Sequence, residues 1–217
     1  MTHDPSDDAP AEIVREYGPF PGVADIAGVT HDGAQVWFAT TNRLHALDPA
    51  SGQLVRALDV AADAGTAFDG HHLFQLAGAT IQKVDPTTGE VLARIPAPDG
   101  GKHSGLAWAD GTLWVGQYAG RRIHQIDPAT GAILRTIESN RFVTGVSWVD
   151  GELWHGTWED DASELRRVDP DTGRVLARRA LPAGAVVSGL ESDGGDLLFC
   201  GGGPSGTLRA VRRPRRR

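Results

Sequence analysis

The sequence holds a single cysteine, Cys200. A lone thiol excludes an internal disulfide, so packing and backbone hydrogen bonds must hold the fold, and a reducing cytoplasmic setting is the expectation. No apolar run approaches the roughly 18 residues that span a bilayer as a helix, which argues against a membrane anchor. The first ten residues, MTHDPSDDAP, lack the charged-then-apolar plan of a secretory signal, so residues 1–11 read as a disordered acidic leader. Positive charge is the minority: 21 Lys and Arg face 28 Asp and Glu, for a net charge of -7, which argues against general nucleic-acid affinity. The exception is the terminal RRPRRR, residues 212–217, which reads as a solvated basic tail. There is no P-loop, GxSxG, GxGxxG, HExxH or CxxC, so the short signatures of phosphate, serine-hydrolase, dinucleotide and zinc chemistry are missing. No cofactor is expected. Calcium at the acidic stretch 159–163 stays open only as a weak alternative, because that stretch lacks the glycine and closing Glu of an EF-hand.

What the chain does have is 28 glycines and a repeat. The stretch TLWVGQYAGRRIHQIDPATGAILRTI, residues 112–137, reads as a buried strand, a polar break, an alternating strand, a DPxTG turn and a further apolar strand. DPxxG recurs at Asp48, Asp85, Asp127 and Asp169. An Asp-Gly pair or its variant, flanked by apolar runs as in a tight hairpin, recurs at Asp32, Asp69, Asp110, Asp150 and Asp193, at steps of 37, 41, 40 and 43 residues. Two turn motifs in constant phase at roughly 40–45 residues are the mark of a β-propeller blade. The expected fold is therefore all-β: one five-bladed propeller of four-stranded blades over residues 12–211. The last unit ends without its outer strand. EIVREYG (residues 12–18) matches the outer strands QLVRAL, EVLARI and AILRTI, so the N-terminal strand is expected to close blade five. Trp37, Trp114 and Trp154 in second strands, with Trp108 and Trp148 ending inner strands, are expected to pack blade against blade.

Because each blade is a template for the next, departures from the repeat point to function. Inner strands align on Gly28, Gly65, Gly105, Gly145 and Gly189, and two positions later Glu191 is the one charged residue among Thr30, Ala67, Ala107 and Ser147. Second strands align so that Gln75 and His155 stand where Phe38, Val115 and Phe199 are apolar. The short Asp-Gly and DPxTG turns mark a structural face. The irregular loops then mark a functional face, carrying His103, Tyr118, Arg141, Trp158 and Glu159. Glu191, His155 and His103 are the candidate acid–base residues, since a carboxylate in an apolar wall has a raised pKa and an imidazole titrates near neutrality. Gln75, Tyr118, Arg141, Trp158 and Glu159 are the candidate substrate-binding residues, by hydrogen bonding, stacking and ion pairing. Each also has a structural reading: Glu191 can hold backbone N–H groups, and His155 and Gln75 can be satisfied core polar groups.

The units VTGVSWVDGELWHGTWEDDASELRRVDPDTGRVL and SGLAWADGTLWVGQYAGRRIHQIDPATGAIL, with the ending VSGLESDGGDLLFCGGGPSGTLRAV, resemble blades of the glutaminyl-peptide cyclotransferase family of the plant and bacterial type. More distantly they resemble the streptogramin-inactivating lyases, which share the DPxTG cadence. That resemblance implies a five-bladed propeller with a small polar substrate and non-redox cyclase, lyase or isomerase chemistry at the channel mouth. Of the carboxylate-bearing inner strands of that family, only VSGLES keeps its Glu, at Glu191. The competing expectation is a non-catalytic propeller that binds a small ligand or a protein partner through its loops.

Overall fold

A computed structural model describes residues 8–98 and 102–214. The chain forms five sheets set around one axis, each with four antiparallel strands. Blade one is β3 (Gly28–His31), β4 (Val36–Thr40), β5 (Arg43–Leu47) and β6 (Leu54–Asp59), counted from the axis outward. Blade two is β7 (Thr66–Phe68), β8 (Leu73–Ala77), β9 (Thr80–Val84) and β10 (Val91–Pro96). Blade three is β11 (His103–Ala109), β12 (Thr112–Gln117), β13 (Arg122–Ile126) and β14 (Ile133–Glu138). Blade four is β15 (Phe142–Val149), β16 (Glu152–Glu159), β17 (Ala162–Val168) and β18 (Val175–Ala180). Blade five takes β19 (Gly189–Ser192), β20 (Leu197–Gly201) and β21 (Leu208–Arg212) from the C-terminal end, and its outer strand is β2 (Ile13–Tyr17). The ring thus closes through hydrogen bonds between the two ends of the described chain, with Tyr17 opposite Leu208 and Ile13 opposite Val211.

The turns explain why the repeat is written as it is. In each DPxxG turn the Gly N–H returns to the Asp carbonyl, as from Gly131 to Asp127 at 2.8 Å, and the Asp carboxylate accepts from the residues just ahead. Those bonds hold three of these carboxyls below the usual range: the Ser51 hydroxyl for Asp48, the Thr87 N–H for Asp85 and the Thr172 N–H for Asp169. At Asp110-Gly111 and Asp150-Gly151 both residues have positive φ, which is the geometry of a two-residue hairpin matched to strand twist.

The core is divided into five clusters, one at each seam between neighbouring blades. The tryptophans lie where the repeat placed them. Trp114 of blade three stacks on Trp148 of blade four at 5.9 Å, and Phe74 of blade two stacks on Trp108 of blade three at 5.3 Å. Trp37 and Trp154 are fully buried, and their indole N–H groups donate to Asp32 (2.6 Å) and Glu152 (3.0 Å) of their own hairpins. Removing such a ring costs about 3–5 kcal/mol.

Both chain ends correct the sequence reading. Residues 1–11 were expected to be a disordered leader, yet β1 (Asp8–Pro10) runs parallel to β18 and makes blade four five-stranded. Asp8 pairs with Arg178 at 2.9 Å, and Ala11 and Ile13 pack into the seam between blades four and five. The basic tail was expected to start at 212 and to be solvated. Instead Arg212 ends β21 and pairs with Glu12, while Arg213 is buried and reaches Asp150 of the blade-four hairpin at 2.5 Å. Residues 1–7 and 215–217 lie outside the described residues.

Candidate functional site

At the axis the five inner-strand glycines form a ring. A Cβ on Gly28 would lie 2.3 Å from the Ala64 carbonyl oxygen. On Gly65 it would lie 2.4 Å from the Leu106 nitrogen, and on Gly105 2.4 Å from that of Val146. On Gly145 it would lie 2.5 Å from the Leu190 nitrogen, and on Gly189 2.3 Å from that of Val29. Each glycine is therefore the point where one blade's backbone presses on the next, and no side chain fits there. This ring divides the channel into residues before the glycines and residues after them.

Before the ring, on the face of the irregular loops, lies a cavity of about 420 Å³. It is lined from all five blades: Asp25, Ile26 and Ala27; Asp63 and Ala64; His103, Ser104 and Tyr118; Thr144 and Trp158; Val186, Val187, Ser188 and Gly203. His103 is held through Nε2, which lies against the Pro98 carbonyl. A carbonyl only accepts, so Nε2 carries a proton in this contact. Ser104 donates to the Val143 carbonyl at 2.7 Å, tying blade three to blade four at the cavity wall. Tyr118 is kept in place by stacking on Phe142 at 4.7 Å. Asp63 accepts from the Gly78 N–H at 3.0 Å.

Three expected site residues, His103, Tyr118 and Trp158, line this cavity. The expected gathering of Glu191 and His155 around His103 is not what the structure gives. Glu191 lies beyond the glycine ring, half-buried, where its carboxylate accepts from Ser147 Oγ (2.7 Å), the Ser192 N–H (2.8 Å) and Thr30 Oγ1 (3.2 Å). Desolvation among the small residues there pushes its pKa up to about 7 against the pull of those three donors. His155 is buried between blades three and four, beside a separate cavity of about 190 Å³ that Ile123 and Asn140 also line. Its Nδ1 meets the Gly156 carbonyl at 3.0 Å, and burial lowers its pKa to about 4, so it is a neutral core imidazole.

The other three candidates are turned to structural partners. Gln75 is buried and satisfied: Thr66 Oγ1 donates to it at 2.6 Å, and its amide donates to the carbonyls of Ala64 and Leu76. It fixes the Ala64 carbonyl that Gly28 presses against, so it positions the cavity floor without lining it. Arg141 pairs with Glu164 at 3.3 Å on the third strand of its blade. Glu159 is held by Arg121 at 3.0 Å. Asp25 and Asp63 were missed, though one more aligned column would have found the second of them. Two residues before each ring glycine stand Ile26, Asp63, His103, Val143 and Val187, and the two polar members of that column both line the cavity. Among the described residues no group of three His, Cys, Asp or Glu is placed to hold a metal ion, and no helix is long and apolar enough to cross a membrane.

Residues 77–213, well over half of the chain, match the PQQ_2 family, whose description reads outer membrane protein assembly factor BamB. The chain belongs to the PQQ_2 family. Its match runs from the end of β8 through blade five, which includes the cavity-lining residues from His103 onward. The PQQ_2 description speaks of the family and not of what this cavity takes. No curated protein matches the chain. Among solved structures, glutaminyl cyclase of Myxococcus xanthus is similar over 94% of this chain and 97% of its own, with a TM-score of 0.78 at 18% identity. A catalytically inactive virginiamycin B lyase from Staphylococcus aureus, with quinupristin, is similar over 91% and 69%, with a TM-score of 0.53 at 15% identity. The likeness to glutaminyl cyclase and lyase propellers read from the blade motifs is thus present in three dimensions. At these identities it carries the fold and not the chemistry.

Proposed function

We propose that this PQQ_2 propeller binds a small polar molecule in the channel-mouth cavity and acts on it by acid–base chemistry of the cyclase, lyase or isomerase type. The observation that carries the reading is the cavity itself: five blades bring a histidine, two carboxylates, two aromatic rings and the hydroxyl residues Ser104, Thr144 and Ser188 to one open-mouthed cavity on one face of the ring. In this reading His103 takes or returns the proton, Tyr118 and Trp158 stack against the molecule, and Ser104 and Ser188 fix its polar part. Such chemistry calls for no redox centre. The glutaminyl cyclase and virginiamycin B lyase likenesses make a non-redox enzyme on this scaffold reasonable, and the substrate differs from either wherever these lining residues do. A binding-only module is the second reading. It is favoured by the position of Glu191, the strongest acid–base candidate of the chain, on the far side of the glycine ring.

A thermal-shift screen of polar metabolites followed by a turnover assay on the molecule found tests this. His103→Gln should lower turnover by roughly 10²–10⁴-fold, the usual worth of a general acid or base, and leave affinity within a few-fold. Full turnover in His103→Gln would refute the catalytic part. Binding without any turnover would establish the second reading.

A further inference from the structure

The charge and ring chemistry of the channel-mouth cavity select its ligand. Among its described lining residues the formal charges are the carboxylates of Asp25 and Asp63, and no Lys or Arg takes part. Lys102, next to His103, is exposed and outside the lining. The arginine on the neighbouring loop, Arg121, is drawn away: it donates to Glu159 at 3.0 Å and to the Asn140 carbonyl at 2.6 Å, and its guanidinium rests 4.3 Å over Phe142. Asp25 has no hydrogen bond or ion pair among the described residues.

Two further lining residues bear on the ligand. Thr144 is 5% exposed and its Oγ1 packs against Gly156, so it adds little polar surface to the cavity. Trp158 also lines the cavity, and among the described residues no ring or cation stacks on it, whereas the similar ring of Tyr118 is already covered on one face by Phe142. An indole that shares a cavity with two carboxylates and no lining Lys or Arg suits a positive charge, because the ring's quadrupole is negative over its face. The remaining walls, Ile26, Val186 and Val187, are apolar.

From this combination we infer that the ligand is a small organic cation, an ammonium group on an apolar body, with the charge between Trp158 and the carboxylates of Asp25 and Asp63. This rests on the channel-mouth cavity being the ligand site. A bare metal ion is a poorer occupant, since no group of three metal-binding side chains is present among the described residues and the aromatic and apolar walls would go unused. The Ser188 hydroxyl, also in the lining, would accept from an ammonium N–H or pair with a hydroxyl elsewhere on the ligand.

The test uses the full chain and four probes in two matched pairs: choline with its neutral carbon isostere dimethylbutanol, and butylamine with butanol. Succinate serves as an anionic probe. Calorimetry should show each cation binding at least about ten-fold more tightly than its neutral partner, the scale of one good cation–π contact, with affinity falling as salt rises. Asp25→Asn and Trp158→Leu should each erase most of that preference while leaving the melting temperature near that of the wild type. Asp25 makes no side-chain hydrogen bond or ion pair among the described residues, so its variant separates ligand loss from misfolding. Equal binding of cation and isostere, or tighter binding of succinate, would overturn the cation and leave the cavity as the site. No binding of any probe would overturn the cation reading too. Binding that Trp158→Leu and Asp25→Asn both leave untouched would place the ligand elsewhere and overturn the site as well.

Discussion

Glu191→Gln tests the glycine ring as the divider between a functional cavity and a structural channel. In the folded chain the Glu191 carboxyl sits at about 7 against an ordinary 4.5, with desolvation as the leading cause. A folded-state pKa raised above the unfolded one means that the folded protein holds the proton longer. The group's contribution is therefore fully present below about pH 4.5 and is lost as pH rises through about 7. At about 1.4 kcal/mol per pH unit, the ionised carboxylate destabilises the wild type at pH 8 by up to about 3 kcal/mol. Glu191 is half-buried, so water from the far end of the channel reduces this toward about 2 kcal/mol. Glutamine keeps the shape, cannot ionise, and still meets Ser147 and Thr30. Glu191→Gln should then melt about 4–10 °C above the wild type at pH 8 and within about 2 °C of it at pH 4.5, for a chain of this size. Urea unfolding at half-unit pH steps gives the curve directly. A wild-type-to-variant difference that is flat with pH, or a variant less stable at pH 8 than at pH 4.5 relative to wild type, would refute the assignment of Glu191 as a desolvated channel carboxylate. Loss of turnover in this variant with unchanged stability would refute the separation of Glu191 from the cavity.

The ring glycines should tolerate nothing larger: Gly145→Ala places a Cβ 2.5 Å from the Leu190 nitrogen and should cost about 3 kcal/mol or more in urea unfolding. Gly111→Ala has open space around it and only a positive φ to offend, and should cost about 1–2 kcal/mol. Removing residues 1–11 should strip β1 and the Asp8–Arg178 pair and lower the melting temperature by a few degrees. Removing residues 1–17 should also take the outer strand of blade five and give aggregation on size-exclusion chromatography; equal behaviour of the two truncations would refute the closure. Cys200, buried and with its thiol pushed up to about 12 by desolvation, should be silent to a thiol reagent in the native protein and react fully in denaturant.

The architecture was legible in the residues because propeller blades are built from local rules. A DPxxG turn closes on its own carbonyl, an Asp-Gly hairpin needs only two positive φ values, and alternation within a strand assigns faces. The match of IVREY to the other outer strands gave the closure, since the same blade geometry asks for the same residues. Phe74 with Trp108 and Trp114 with Trp148 followed from the repeat for the same reason.

The site was only partly legible. His103, Tyr118 and Trp158 were found because the segments around them are irregular against the repeat, although only Tyr118 proves to lie on a loop: His103 opens β11 and Trp158 lies near the end of β16. His155 and Gln75 broke the same pattern for another reason: a polar residue in an apolar column can be satisfied by a backbone carbonyl a few ångströms away, and the sequence does not show that carbonyl. Arg141 was drawn to Glu164, a partner set by the pairing of strands within blade four.

By itself the sequence determined the number of blades, their strand order, the ring closure and the face that carries irregular loops, all of which follow from periodicity and turn chemistry. Only the tertiary structure decided that Glu191 and His103 lie on opposite sides of a glycine ring. A residue's height along the axis depends on how tightly neighbouring backbones press together, and that contact is made between blades about 40 residues apart in the chain.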